Sequence, residues 1–279
     1  MSFIKRCRRN GYFREYNWVM NYLKLGGSLI TEKTMVKAAR LDTIQRLALE
    51  IGDARRSNPD MKLIIGHGSG SFGHHVAHQY HTNEGVKSPD DWAGFLEVWQ
   101  AARELHEICM QVFKDADLPV MSFSPSTSAI CEDGALMEMA VTPIGLSLEH
   151  GLIPVEHGDV AFDRMRGGSI VSTEQVFRFL ATILPPSKVL LAGREDGVYA
   201  QPAQKSELIA TLTPSDLKTL DLAHTEGADV TGGMSSKVTE AMKIAELTPL
   251  ADVRIFSAEK PDNLRLTLLG DTPGTKIQP

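Results

Sequence analysis

Apolar residues along this chain follow two rhythms. Short unbroken runs mark buried strands, and longer stretches with apolar residues every three or four positions mark helices. Tyr22-Leu23-Lys24-Leu25 is the first run, ended by Gly26-Gly27-Ser28. Residues 34–57 predict a helix with Leu41, Ile44, Leu47, Ala48 and Ile51 on one face. Lys62-Leu63-Ile64-Ile65 is a second strand, and it runs into the glycine-rich stretch Gly66–His74. Ser88-Pro89-Asp90-Asp91 starts a helix that the pattern carries to about Lys114. Pro119–Phe123 and Leu152–Val155 read as strands on either side of a helix at 141–150. A hairpin around Gly167-Gly168 follows, then a helix near 174–183 and the strand Val189–Ala192, ending at Gly193. A helix from Ser235 to Leu247, the strand Val253–Phe256 and a helix near 261–269 complete the pattern.

Strand and helix alternate, which predicts an α/β fold: a three-layer αβα sandwich with a mainly parallel central sheet. No repeat or low-complexity linker interrupts residues 20–279, so they read as a single domain. It divides into two lobes, about 20–185 and about 186–279, with a cleft between them. Residues 1–19 stand apart, with Lys5, Arg6, Arg8, Arg9 and Arg14 against Glu15. They lack the apolar core of a secretory signal and read as a disordered basic extension. Met20 would make a natural start.

Composition narrows the function classes. The chain has 279 residues, 42% hydrophobic and 23% charged, and a net charge of -6, which gives no sign of nucleic-acid binding. No apolar run approaches the roughly 18 residues that a membrane span needs. Cys7, Cys109 and Cys131 have neither paired nor metal-ligand spacing, which points to a reducing cytoplasm.

Three glycine-plus-lysine elements carry the candidate chemistry. In Gly66-His67-Gly68-Ser69-Gly70-Ser71-Phe72-Gly73-His74, bare backbone at a strand-to-helix turn offers amides to an anion, with His74 at its far edge. Lys24 sits in an otherwise apolar strand, where burial is costly unless it meets an anion. Gly26, Gly27 and Ser28 open space beside it, and Lys33 closes the same loop. The third element is Asp229-Val230-Thr231-Gly232-Gly233-Met234-Ser235-Ser236-Lys237, a helix start with a lysine one turn inside. Glu195-Asp196-Gly197 adds a turn at a strand's carboxyl end, where open α/β sheets bind ligands. None of these fits the common phosphate-loop or dinucleotide fingerprints. Together they suit a phosphate chain gripped from several sides, as phosphoryl transfer requires. His74, His75, His78 and His81 could also be read as a metal site. One functional histidine, His74, with exposed neighbours is the simpler expectation, and no metal ligands are assigned. The 76–99 region, with Val76, Phe95 and Trp99, is the expected source of an apolar acceptor pocket.

These residues resemble a known family. Leu23-Lys24-Leu25-Gly26-Gly27-Ser28-Leu29-Ile30-Thr31-Glu32-Lys33 is similar to the opening of the amino acid kinase superfamily. Lys33 and Gly70-Ser71-Phe72-Gly73-His74 resemble its isopentenyl phosphate kinase branch. Gly158-Asp159-Val160, Asp196-Gly197-Val198-Tyr199 and the Asp229–Lys237 element follow in the family's order, and the resemblance runs from Met20 to Gly274-Thr275-Lys276-Ile277. It implies transfer of the ATP γ-phosphoryl group, with Mg²⁺, to isopentenyl phosphate, in a cytoplasmic homodimer. By the same resemblance Lys24 bridges the transferring group, Lys237 holds the ATP phosphates and Lys33 adds charge. Ser69, His74 and Gly158 take the acceptor. Lys24, Gly26, Gly27, Ser28, Gly70, Asp196, Gly233 and Lys237 take ATP. Two positions depart from the family. Gly193-Arg194-Glu195-Asp196-Gly197 stands where Thr-Asp-Val-Asp-Gly is usual, and Ser172-Thr173-Glu174 where Ser-Gly-Asp is usual, with Glu174 expected to orient the lysines through a longer reach. A fosfomycin-type kinase and a non-catalytic nucleotide sensor remain alternative readings.

Overall fold

The computed structural model describes residues 19–32, 34–201, 205–218 and 233–279. The first apolar run forms β1 (Met20–Leu25), buried at every position, and Gly27–Ile30 turns at once into a one-turn helix, α1. Helix α2 (Leu41–Ser57) leads to β2 (Lys62–His67), and α3 (Gly70–Gln79) opens directly from the glycine-rich stretch. The long helix α4 (Pro89–Asp115) starts at a capping box: Ser88 Oγ accepts from the Asp91 amide at 3.1 Å, and Asp91 accepts from the Ser88 amide at 2.8 Å. Next come β3 (Val120–Ser122), β4 (Ile130–Glu132), β5 (Ala135–Glu138) and α5 (Thr142–Glu149). The chain continues through β6 (Ile153–His157), β7 (Asp159–Asp163), β8 (Gly167–Val171) and α6 (Thr173–Ala181). After β9 (Lys188–Gly193) the short strands β10 (Tyr199–Gln201), β11 (Ser206–Leu208) and β12 (Thr211–Leu212) follow. Helix α7 (Gly233–Leu247), β13 (Asp252–Ser257), α8 (Asn263–Leu269) and β14 (Thr275–Ile277) end the chain.

Eight strands make the main sheet, in the order β12-β14-β13-β9-β1-β2-β6-β3. Its central strands β13, β9, β1, β2, β6 and β3 are all parallel. Helices cover both faces. Val176, Phe177 and Leu180 of α6 and Val238 and Ala241 of α7 pack on one side. Ile44, Leu47 and Ile51 of α2, Leu105 and Phe113 of α4, and Leu264 and Leu268 of α8 pack on the other. This is the expected αβα sandwich. Strand β1 lies between β9 and β2, so the two expected lobes share one continuous sheet. A smaller sheet, β5-β4-β7-β8, flanks it. Among the described residues no helix is long and apolar enough to cross a membrane.

One expectation needs correction. The helix predicted over 34–57 begins only at Leu41. The preceding residues are held as a strap: the Glu32 amide bonds the Ala38 carbonyl, the Arg40 amide bonds Ile30, and Thr31 pairs with Ala39. Gly26-Gly27-Ser28 ends the first strand as expected, and Gly27 and Ser28 begin α1. Residues 1–18, Lys33 and the 229–232 part of the third element lie outside the described residues.

Candidate active site

The parallel strands end on one side of the sheet, and the site forms there. The turn after β1 and the turn after β2 pack backbone against backbone. A Cβ added to Gly27 would lie 2.6 Å from the Gly70 amide nitrogen, and one on Gly68 would lie 2.9 Å from the Gly27 nitrogen. Gly70 itself has φ +50°, a left-handed conformation that favours glycine. These glycines are therefore required by the fit of two helix starts, α1 and α3, against each other. The Ser71 amide bonds Thr31 Oγ1 at 3.0 Å and locks the turns together.

Lys24 lies on β1 at the centre of the sheet and is 9% exposed. Its ammonium forms a buried ion pair with Glu174 of α6. Burial pushes the Glu174 carboxyl up, but the charge and hydrogen bond of Lys24, with a smaller contribution from Lys237, hold it below the ordinary carboxylate range. Glu174 thus occupies the departing Ser172-Thr173-Glu174 position and still reaches the lysine. The Lys237 ammonium stands over the end of β9, where a Cβ on Gly193 would be 3.2 Å from it. Lys24, Gly66 and Glu156 are aligned across β1, β2 and β6. Glu156 is fully buried with neither carboxyl oxygen hydrogen-bonded. Burial first, and the Asp159 charge second, push it well above the carboxylate range, which favours the neutral acid.

Gly158 follows β6 and faces the second turn: a Cβ there would lie 3.8 Å from the Ser69 nitrogen and 3.9 Å from Thr173 Oγ1. Ser69 and Gly158, expected to share one ligand, are thus brought together. His74 lies one turn into α3 and is partly buried. Ser28 and Gly233 also stand at helix starts, and Asp196 is exposed beyond β9 with Tyr199 Oη 3.3 Å away. Arg194 pairs with Glu259 at 2.9 Å, and Glu259 also holds Arg40 at 2.7 Å. His75, His78 and His81 are exposed, and no group of three or more His, Cys, Asp or Glu among the described residues could hold a metal. Val76 and Trp99 pack on a small core of Ala77, Val86, Phe95, Val98 and Val160, on the α3 and α4 side of the second turn.

Four neighbouring groups escaped the sequence reading. Thr173 donates to the His67 carbonyl at 2.7 Å. His67, His106 and His157 form a buried stack, with ring centroids of His106 and His157 4.1 Å apart. A histidine closing a short buried strand was the one available signal, at His67 and at His157.

The family model described as the amino acid kinase family matches residues 23–257. The isopentenyl phosphate kinase of Methanothermobacter thermautotrophicus is 33% identical over 272 residues, covering 92% of this chain and 98% of that protein. The enzyme of the same name from Methanocaldococcus jannaschii is 30% identical over 267 residues, covering 93% and 98%. A solved isopentenyl phosphate kinase structure superposes with a TM-score of 0.78 at 30% identity, over 93% of this chain and all of that one. Carbamate kinase from Giardia lamblia, at 14% identity and a TM-score of 0.66, shares the fold. The chain belongs to the amino acid kinase family and, within it, to the isopentenyl phosphate kinases.

Proposed function

We propose that this kinase moves the γ-phosphoryl group of ATP onto the phosphate of isopentenyl phosphate, giving isopentenyl diphosphate. The observation that carries the reading is the buried Lys24–Glu174 pair beside two interlocked glycine turns, with Lys237 at the end of the neighbouring strand. The acceptor is already an anionic oxygen nucleophile, so the chemistry asks for no strong base. Its obstacle is repulsion between two phosphates, which cations and fixed amides relieve. Lys24, oriented by Glu174, bridges the transferring group. Lys237 and the backbone at Gly26, Gly27, Ser28, Gly70 and Gly233 hold the triphosphate, with Asp196 on the nucleotide side. Ser69, Gly158 and His74 take the acceptor phosphate, Lys33 adds charge, and Val76, Phe95 and Trp99 flank the alkyl chain. The described residues offer no metal cage. Mg²⁺ would be brought by ATP and would offset phosphate charge, and no step here is assigned to it. The family resemblance also supports a homodimer, and cysteines without paired spacing support a reducing cytoplasm.

The test is incubation of purified protein with ATP, Mg²⁺ and isopentenyl phosphate, followed by mass spectrometry of the products. Isopentenyl diphosphate is expected, and its absence overturns the reading. Fosfomycin assayed in parallel should be the poorer acceptor. His74→Ala should abolish acceptor use while ATP binding by calorimetry is retained. Unchanged kinetics would remove His74 from the acceptor site.

A further inference from the structure

Three buried histidines take no part in the scheme above. His67 and His157 are 0% and 1% exposed and His106 is 4% exposed, at the ends of β2 and β6 and on α4. Their contacts run in one direction. A carbonyl oxygen can only accept, so His67 Nδ1, 3.1 Å from the Gly68 oxygen, carries a proton. Burial, aided by His106, pushes the His67 pKa down to about 3, so the ring is neutral and its Nε2 is a bare acceptor. The proton in the 2.9 Å contact between His67 Nε2 and His106 Nδ1 therefore belongs to His106. His106 is likewise lowered to about 3 by burial and His157, so its Nε2 accepts from the Ser122 hydroxyl at 2.7 Å. The direction is Ser122 to His106 to His67 to the Gly68 carbonyl. His157 stacks on His106 and closes the cluster, with Asp159 3.6 Å from its Nε2.

The carbonyl and N–H of a trans peptide point opposite ways. A Gly68 carbonyl held by His67 thus turns the Ser69 amide away from the histidines, on the side where Gly158 lies. The rest of the turn is tied. The Gly68 amide bonds Leu25, and the His67 carbonyl accepts from Gly158 and Thr173. We infer that Ser122, His106 and His67 are positioning residues, a one-way hydrogen-bond chain that fixes the Gly68–Ser69 peptide with its amide presented to the acceptor phosphate. This rests on the acceptor site proposed above.

Long-range ¹H–¹⁵N spectra of the whole chain labelled in histidine read the tautomers without any substrate. Both His67 and His106 are expected as neutral Nδ1–H rings, and an Nε2–H form of either overturns the direction. His67→Leu removes the donor to Gly68, whereas His67→Asn keeps one near the place of Nδ1. The leucine variant should raise KM for isopentenyl phosphate about tenfold or more with KM for ATP nearly unchanged, and asparagine should recover most of the loss. A joint rise of both KM values, or asparagine no better than leucine, overturns the role. If His67→Leu does not fold, Ser122→Ala cuts the chain at its exposed end, and an acceptor KM that stays put there overturns it. A wild type that makes no diphosphate defeats the function reading, not this one. The Ser69 amide resonance, titrated with inorganic phosphate, then decides: it should move, and a static resonance overturns the presentation.

Discussion

At the ends of β1, β2 and β6, the two faces of one sheet solve a similar problem differently. One face carries charge: Lys24 and Glu174 meet over Gly66, with Glu156, its carboxyl pushed up by burial, in the same row. The other face, one residue further along, carries the imidazoles of His67 and His157, with His106 against them. Successive strand residues point to opposite faces, so one step from Gly66 to His67, or from Glu156 to His157, changes the chemistry. Charge is kept on the face where the phosphate site is proposed. Neutral, directional hydrogen bonds are kept where a backbone turn must hold one orientation. A charged imidazole there would place two N–H groups against each other.

Removing the cation breaks the contrast most severely. Lys24→Met should lower kcat roughly 10²–10³-fold, the usual loss for one preorganised charge at a transition state. Glu174→Ala should act on both stability and rate, because it leaves Lys24 buried and unpaired, at a cost of about 3–5 kcal/mol. Steady-state kinetics and urea unfolding measure the two. A Lys24→Met enzyme of normal kcat would make the two faces equivalent and remove the argument for charge on one of them.

Acid sharpens the same comparison. His67 and His106 titrate near 3 in the folded chain against an ordinary value of 6.5, so between those limits the unfolded chain binds more protons. Their contribution is complete above about pH 6.5 and is lost as pH falls toward 3. The expected slope approaches about 1.4 kcal/mol per pH unit for each histidine. Glu174 is also lowered, so its contribution is present above the ordinary carboxylate pKa and fades only in more acidic solution. His157, lowered by burial, adds to this slope, whereas Glu156, raised by burial, opposes it over the same range, so urea unfolding of wild type and variant between about pH 7.5 and 5 isolates the imidazole contribution by difference. His106→Asn should flatten that slope, and an unchanged slope would mean that the stack does not stay neutral on folding.

Strands β1, β2, β6, β9 and β13 were legible because they are short, mainly apolar runs, and α4 because Ser88 and Asp91 announce its start, whereas strands β12 and β14 at one edge of the same sheet went unread. Gly66–His74 was legible as a phosphate turn, yet the stronger demand on Gly27, Gly68 and Gly70 is the close packing of two turns 40 residues apart in sequence. No local pattern encodes that contact. Strands β4 and β5 went unread because their short, partly exposed segments lack a buried run. The histidine chain was invisible for a similar reason: His67 and His106 are separated by 39 positions, and each alone looks like an ordinary core residue. Glu174 was found as a departure from a familiar pattern, and its pairing with Lys24 bears out the expectation that it still orients a lysine; which lysine it meets required the fold.

The smallest effect is expected at Arg194, on the margin of the charged face. Its side chain is 42% exposed, and Glu259 keeps Arg40 through two hydrogen bonds, of 2.7 and 3.1 Å, when Arg194 is removed. Arg194→Ala should therefore cost less than about 1 kcal/mol in urea unfolding. Arg194→Asp restores the acid usual in the family, but it sets a second carboxylate beside Glu259. It should destabilise more than alanine does, and Glu259→Ala should relieve the difference in a double-mutant cycle. If aspartate instead proves the milder change and lowers KM for ATP, Arg194 is not matched to Glu259.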